Sequence, residues 1–267
     1  MGFVILEGIM DRTIFKGLRD SLKTVQAKTE ANVKREHDKA RPWAVYDSAL
    51  HHYATTFDYP YERSFRHLIP EEFPTMRAYI EQRFFEKRGA VVGMDIGGTG
   101  SALFRDFSPG FFVKSLGVVL ADQREENTKQ EDEELHHSVL EADAFSSKGW
   151  RNITSTLRGD TVDVLFERMY GGLVGMSADS HFLASLLERW YGLLGDEGVM
   201  FVELPHISSR KSSSIVRWLY TMEHGKVPGV TVRYAASPYE EAGSLKMVMC
   251  LEKGPGAPES LRESFEK

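Results

Sequence analysis

The stretch Val91-Val92-Gly93-Met94-Asp95-Ile96-Gly97-Gly98-Thr99-Gly100-Ser101 is an apolar run that reaches an acid and then a glycine-rich turn. The run reads as a buried strand, and the pattern after the turn predicts a helix. Glycines let a backbone come close to a ligand, and the start of a helix leaves N–H groups without intrahelical partners. A nucleotide-type ligand suits that device. Counted from Gly98, the dinucleotide fingerprint requires a third glycine at position 103, where Leu103 stands. Asp95 would also repel a pyrophosphate, whereas its charge suits a cationic ligand bearing a sulfonium or ammonium group.

Three more acids follow apolar runs in the same manner. Gly117-Val118-Val119-Leu120-Ala121 leads to Asp122, Val139-Leu140-Glu141-Ala142 to Asp143 and Ala144, and Asp163-Val164-Leu165-Phe166 to Glu167. Short apolar runs predict strands over 90–95, 117–121, 138–142, 162–166 and 199–204. Helical patterns lie between them near 101–107, 124–136, 148–157 and 179–194, so every crossover has a helix available. A further helix over 215–223 precedes two strands, 230–235 and 245–251, joined by a turn-rich segment that fits a hairpin and places one strand antiparallel to the rest. The fold class expected is α/β, a doubly wound, mostly parallel Rossmann-like sheet with a C-terminal antiparallel hairpin strand, plus an N-terminal helical extension. Trp190 and Trp218 read as core, and the acidic run from Glu125 to Glu134 as a solvent-facing helix surface.

The organisation expected is an extension over 1–88, a ligand-binding domain over 89–253 and a flexible tail over 254–267 with no apolar periodicity. In the extension, apolar positions Ile14, Leu18, Leu22 and Val25 predict an amphipathic helix that Pro42 interrupts. Trp43, Tyr46, His51, His52, Tyr53, Phe57, Tyr59, Tyr61 and Phe65 then crowd one segment, and a helix near 73–88 ends at Gly89. These aromatics fit a cap over the carboxyl edge of the sheet that shapes an acceptor pocket, or else a helical subdomain or dimer interface.

Composition narrows the class. With 42% hydrophobic and 27% charged residues the chain has the makings of an ordinary globular protein. A formal charge of −6 and the absence of a long Lys/Arg block disfavour general attraction to nucleic acid. One cysteine, Cys250, permits no internal disulfide, which fits a reducing, cytoplasmic setting. The start Met1-Gly2-Phe3-Val4-Ile5-Leu6 reads as no targeting signal, and no segment approaches the roughly 20 apolar residues of a membrane span.

Taken together, 90–251 resembles the class I, Rossmann-like, S-adenosylmethionine-dependent methyltransferase family. There the first strand ends in an acid and a glycine-rich loop, which Asp95, Gly97 and Gly100 match. The family spaces three glycines by single residues, whereas Gly97-Gly98-Thr99-Gly100-Ser101 either lacks one residue or puts Thr99 at a glycine position. The resemblance implies S-adenosylmethionine as cofactor, held by Asp95, Gly97, Gly98, Thr99, Gly100, Asp122, Asp143, Ala144 and Glu167. Within it, Asp122 would take the ribose hydroxyls and Asp143 the adenine amino group, with Phe145 against the ring.

Methyl transfer asks the protein mainly to align a nucleophile and, where necessary, to remove its proton. Candidate bases are His206, Glu203, Glu167 and Tyr170, with His51 or His52 if the extension folds over the cofactor. The family's Asn/Asp-Pro-Pro-aromatic signature for planar amino groups is absent from Phe166-Glu167-Arg168-Met169-Tyr170-Gly171-Gly172, which disfavours exocyclic base and glutamine amide acceptors. A small-molecule acceptor is the first expectation. An RNA or protein acceptor reached through Arg210 and Lys211 is the alternative, followed by a nicotinamide-dependent oxidoreductase or a non-catalytic binding protein. No metal is expected.

Overall fold

Strands that are apolar throughout must be covered on both faces, and helices packed on each side of a parallel sheet achieve this. The computed structural model describes residues 61–122, 124–144, 146–167, 180–204, 213–224, 227–236 and 247–265. They form a seven-stranded sheet in the order β3-β2-β1-β4-β5-β7-β6. The strands are β1 (Val91–Ile96), β2 (Phe112–Val119), β3 (His137–Glu141), β4 (Val162–Glu167), β5 (Leu194–Leu204), β6 (Val230–Ala236) and β7 (Met247–Lys253). Strands β3, β2, β1, β4 and β5 pair in parallel, while β7 pairs antiparallel with both β5 and β6. This is a mostly parallel, Rossmann-like sheet with a C-terminal antiparallel hairpin, as the sequence led us to expect.

The helices are α1 (Tyr61–Phe65), α2 (Met76–Arg83), α3 (Ser101–Arg105), α4 (Glu126–Glu134), α5 (Ser147–Leu157), α6 (Ser180–Tyr191), α7 (Ser213–Glu223) and α8 (Arg262–Phe265). One face of the sheet, presenting Met94, Ile96, Leu165, Met200 and Val202, packs against Ile153 and Leu157 of α5, Leu186 and Trp190 of α6, and Trp218 and Leu219 of α7. The opposite face, presenting Val91, Val164, Phe166, Val199, Phe201 and Val248, packs against Tyr61 and Phe65 of α1, Met76 and Ile80 of α2, and Leu103 and Phe104 of α3. Trp190 and Trp218 are core residues, as read from the sequence.

The structure differs from the sequence expectations at several places. Strand β2 starts five residues before the predicted 117 and β5 five before the predicted 199, because Val91 pairs with Phe112 and Val162 with Leu194. The helix predicted over 73–88 is α2 followed by a 3-10 turn, Phe85–Lys87. Residues 61–88 cover a face of the sheet, where Arg83 donates to Glu252 at 2.7 Å and Arg233 donates to the carbonyl of Leu68 and to Glu252. The tail expected to be flexible from 254 instead lies on the core through 265. Leu261 is fully buried, the Tyr191 hydroxyl donates to the Pro258 carbonyl at 2.6 Å, and the Trp218 indole donates to Ser264 at 2.9 Å. One leucine and two hydrogen bonds give no periodic pattern to read. The helix predicted over 11–41 and the aromatics from Trp43 to Tyr59 lie outside the described residues.

Candidate functional site

Asp95 sits at the penultimate position of β1 and is fully buried. A buried carboxylate needs hydrogen-bond donors, and the Tyr61 hydroxyl, from the extension, donates to Asp95 Oδ1 at 2.8 Å. The Tyr61 ring stands edge-on to Phe166, Asp95's register partner on β4, at 4.9 Å between centroids. Asp95 is therefore covered by the extension rather than open to solvent. Gly97 donates its N–H to the Val118 carbonyl at 2.9 Å, and the turn closes at Gly100, whose φ of 71° is the left-handed region that glycine tolerates.

The turn is fastened from the side of β2 and β3. The carbonyl of Thr99 can only accept, so His137 Nε2, 2.7 Å away, carries the proton. Nδ1 then accepts from the Ser115 hydroxyl at 2.8 Å. Burial lowers the His137 pKa from its ordinary value, with the nearby Asp132 and the Thr99 carbonyl pulling the other way, so the ring is held neutral at neutral pH. Space for the carbonyl comes from Gly117. A Cβ there would lie 1.9 Å from the Thr99 oxygen and 2.5 Å from its carbonyl carbon. Thr99 itself is 2% exposed, so this part of the expected cofactor loop faces the protein interior.

Asp122 lies three residues beyond β2, and the sequence reading gave both of its oxygens to a ribose diol. The structure commits most of that capacity to Arg124. Asp122 Oδ1 accepts from Arg124 Nε at 3.0 Å and from the Arg124 backbone N–H at 3.1 Å, and Oδ2 accepts from Nη2 at 2.8 Å. A carboxylate has about four acceptor positions, so these bonds leave roughly one, on Oδ2. Burial pushes the Asp122 carboxyl up, but the bonds and charge of Arg124 more than offset this and hold it below its ordinary value. The backbone N–H of Asp122 donates to Glu141 at the end of β3, 2.8 Å away.

Asp143 and Ala144 follow β3, with Ala144 buried. The Asp143 carbonyl accepts from the Ser146 N–H and hydroxyl, both at 3.0 Å, and the Ser146 side chain in turn caps α5 by accepting from the Gly149 N–H at 2.9 Å. Gly149 makes the loop's approach possible, since a Cβ there would lie 1.9 Å from the Asp143 oxygen. Phe145 lies outside the described residues.

Glu167 ends β4 in register with Ile96 on β1 and Val202 on β5. Successive strand residues point to opposite faces. Glu167 therefore shares the face of Ile96 and Val202, while Asp95 shares that of Phe166, so the two acids meet at one sheet edge but on opposite sides. Glu203, on β5, is also buried. His206, Tyr170, His51, His52, Arg210 and Lys211 lie outside the described residues. Among the described residues no group of three or more His, Cys, Asp or Glu could hold a metal ion. No helix of the described residues is long and apolar enough to cross a membrane.

Sequence reasoning placed Tyr61 among the aromatics of the cap without its partner Asp95, and it missed Ser115, Gly117, Arg124, Asp132 and His137 as parts of this edge. Gly117 left a readable trace, because a glycine inside a strand marks close approach of another backbone. Asp132 is a correction. It belongs to the acidic run expected to face solvent, yet it is fully buried and accepts from Ser101 Oγ at 2.6 Å, Arg105 Nη2 at 3.0 Å and Arg124 Nη1 at 2.6 Å.

No family model matches the chain, and no curated protein matches it in sequence. Its fold is similar to solved methyltransferase structures. One is an rRNA methylase from Streptococcus thermophilus, at 12% identity and a TM-score of 0.42, over 66% of this chain and 95% of that one. Another is the N-methyltransferase NodS from Bradyrhizobium japonicum, at 10% identity and a TM-score of 0.41, over 67% and 94%. A third is the plantazolicin methyltransferase BpumL, solved with a desmethyl analogue and SAH, at 13% identity and a TM-score of 0.48, over 85% and 99%. The strand order and register described above define the fold.

Proposed function

We propose that this chain binds S-adenosylmethionine at the carboxyl edge of β1, β2 and β3 and transfers its methyl group to a small molecule. The observation that carries the reading is the run of Asp95, the glycine turn, Asp122 and Asp143 at the ends of successive strands of this sheet. The carboxyl ends of the strands are where open α/β sheets take ligands. The residues fit the cofactor in kind. Gly97, Gly98 and Gly100 carry no side chain to keep a ligand from the backbone of the turn, Asp122 keeps one acceptor position for a ribose hydroxyl, and Asp95 contributes the negative charge that a sulfonium and an ammonium call for. A pyrophosphate meets a like, repelling charge there, and Arg124 is engaged by Asp122 and Asp132 rather than offered to a phosphate.

When bound, the cofactor supplies a methyl carbon already activated by its sulfonium leaving group. The protein's own part is to align the acceptor and shut out water. Tyr61 brings the extension onto the β1 acid and so connects 61–88 with the ligand edge. A small-molecule acceptor is supported by the net charge of −6 and by the acidic α4. Thermal unfolding of the full chain with S-adenosylmethionine, SAH, NAD and NADP tests the proposal. The first two raise the melting temperature and the nicotinamides do not, since only ligands selective for the native state stabilise it. An equal or larger shift with NAD overturns the reading.

A further inference from the structure

We infer that Asp132 is a positioning residue that sets the distance between the two halves of the cofactor site, an inference that rests on the methyltransferase reading above. Asp132 lies on α4 and touches neither the glycine turn's backbone nor Asp122 by any hydrogen bond of its own. It holds both through intermediaries. Its Oδ2 accepts from Ser101 Oγ at 2.6 Å, and Ser101 is the residue that immediately follows Gly100 at the end of the turn. The same oxygen accepts from Arg124 Nη1 at 2.6 Å, and the rest of that guanidinium grips Asp122 through Nε and Nη2 at 3.0 and 2.8 Å. Oδ1 accepts from Arg105 Nη2 at 3.0 Å, which ties down the far end of α3.

One fully buried carboxylate is therefore the common anchor of the loop after β1 and the loop after β2. In the proposed site these loops serve different parts of one ligand, the methionine end at the turn and the ribose at Asp122. A ligand that spans both loops depends on their separation. A ligand that occupies only the ribose and adenine side does not. Charge-assisted bonds in a buried network are strong and directional, which suits them to fixing such a distance. The geometry also separates this role from general stability, because Ser101 can be altered without leaving Asp132 unpaired: Arg105 and Arg124 remain on it.

The test compares two probes by calorimetric titration of the full-length chain: SAH, which spans both loops, and 5′-methylthioadenosine, which lacks the amino acid. Asp132→Asn keeps the side-chain shape but turns a charged acceptor into an amide with donors facing the two arginines. It weakens SAH by about tenfold or more, the worth of one charge-assisted hydrogen bond lost from the network, while 5′-methylthioadenosine stays within about threefold. Ser101→Ala, which keeps the ion pairs and so the fold, moves the same ratio in the same direction by a smaller factor, and it decides the matter if Asp132→Asn does not fold. Equal weakening of both probes in both folded variants, or no change in either, overturns the inference while the methyltransferase reading stands. A wild-type chain that binds neither probe overturns that reading and this inference with it.

Discussion

Gly117→Ala adds one carbon at the point where the glycine turn lies against the sheet. An ideal Cβ there is 1.9 Å from the Thr99 oxygen, 2.5 Å from its carbonyl carbon and 2.9 Å from its Cα. Real Cβ atoms essentially never come nearer than 3.0 Å to another heavy atom, so the oxygen must retreat by about an ångström. All three obstructing atoms are backbone, so no side chain can swing aside. The retreat also stretches the 2.7 Å bond that the Thr99 carbonyl accepts from His137. Overpacking typically costs about 1–3 kcal/mol and a buried bond lost about as much again. Partial relaxation makes these overlap, and about 2–3 kcal/mol is expected. At roughly 2–4 °C per kcal/mol for a chain of this size, the melting temperature falls by about 4–12 °C. SAH affinity of the folded variant falls as well, by about tenfold or more, roughly 1.4 kcal/mol. Differential scanning fluorimetry and calorimetric titration of the folded variant measure both. A variant that melts and binds SAH like the wild type refutes the packing of the turn on β2 that the site depends on.

Tyr61→Phe removes the hydroxyl that donates to Asp95 and costs about 1.5–3 kcal/mol, the usual worth of a bond to a charged group; an unshifted urea midpoint would show the contact to be idle. Asp122→Ala removes the remaining ribose acceptor and weakens SAH about tenfold, roughly 1.4 kcal/mol, while Asp132 continues to hold Arg124; unchanged affinity by calorimetry makes Asp122 a partner of Arg124 alone. His137 is held neutral by burial, with a folded pKa below 6.5. The unfolded chain therefore takes up a proton below about pH 6.5 that the folded chain refuses, so stability is full above that pH and declines as pH falls, by up to about 1.4 kcal/mol per unit. Urea titrations at pH 7.5 and 5.5 check this, and His137→Gln should flatten the difference between them. Gly149→Ala pushes a Cβ to 1.9 Å from the Asp143 carbonyl and should weaken SAH without moving the Asp122 side; equal affinity in the folded variant would dissociate Asp143 from the site.

The succession of strands and helices was legible because β1, β4 and β5 each carry an apolar run and helical patterns separate them, and because the turn residues before β7 permit a hairpin. Register was not legible. The early starts of β2 and β5 depend on pairing with Phe112 and Leu194, which no local pattern announces. Of the candidate site, the acids Asp95, Asp122 and Asp143 stood out as charges at or just beyond the ends of apolar runs. The residues that hold the edge together did not. Asp132 is hidden in an acidic run whose other members do face solvent, and its burial follows from Ser101, Arg105 and Arg124 converging on it from three separate places in the chain. Tyr61 was one aromatic among many in the extension, and only the fold brings it to Asp95 across 34 positions. Arg124 turns Asp122 from a two-oxygen acceptor into a largely occupied one, a change that the spacing of the two residues does not reveal.

Calorimetric titration of the full-length wild-type chain with SAH, set beside NAD under the same conditions, tests the central claim most directly. A buried acid behind a glycine turn and a single ribose acceptor predict one SAH per chain with a dissociation constant on the order of micromolar, about −8 kcal/mol, and no heat from NAD. Absence of SAH binding by a folded chain, or tighter binding of NAD, contradicts the account.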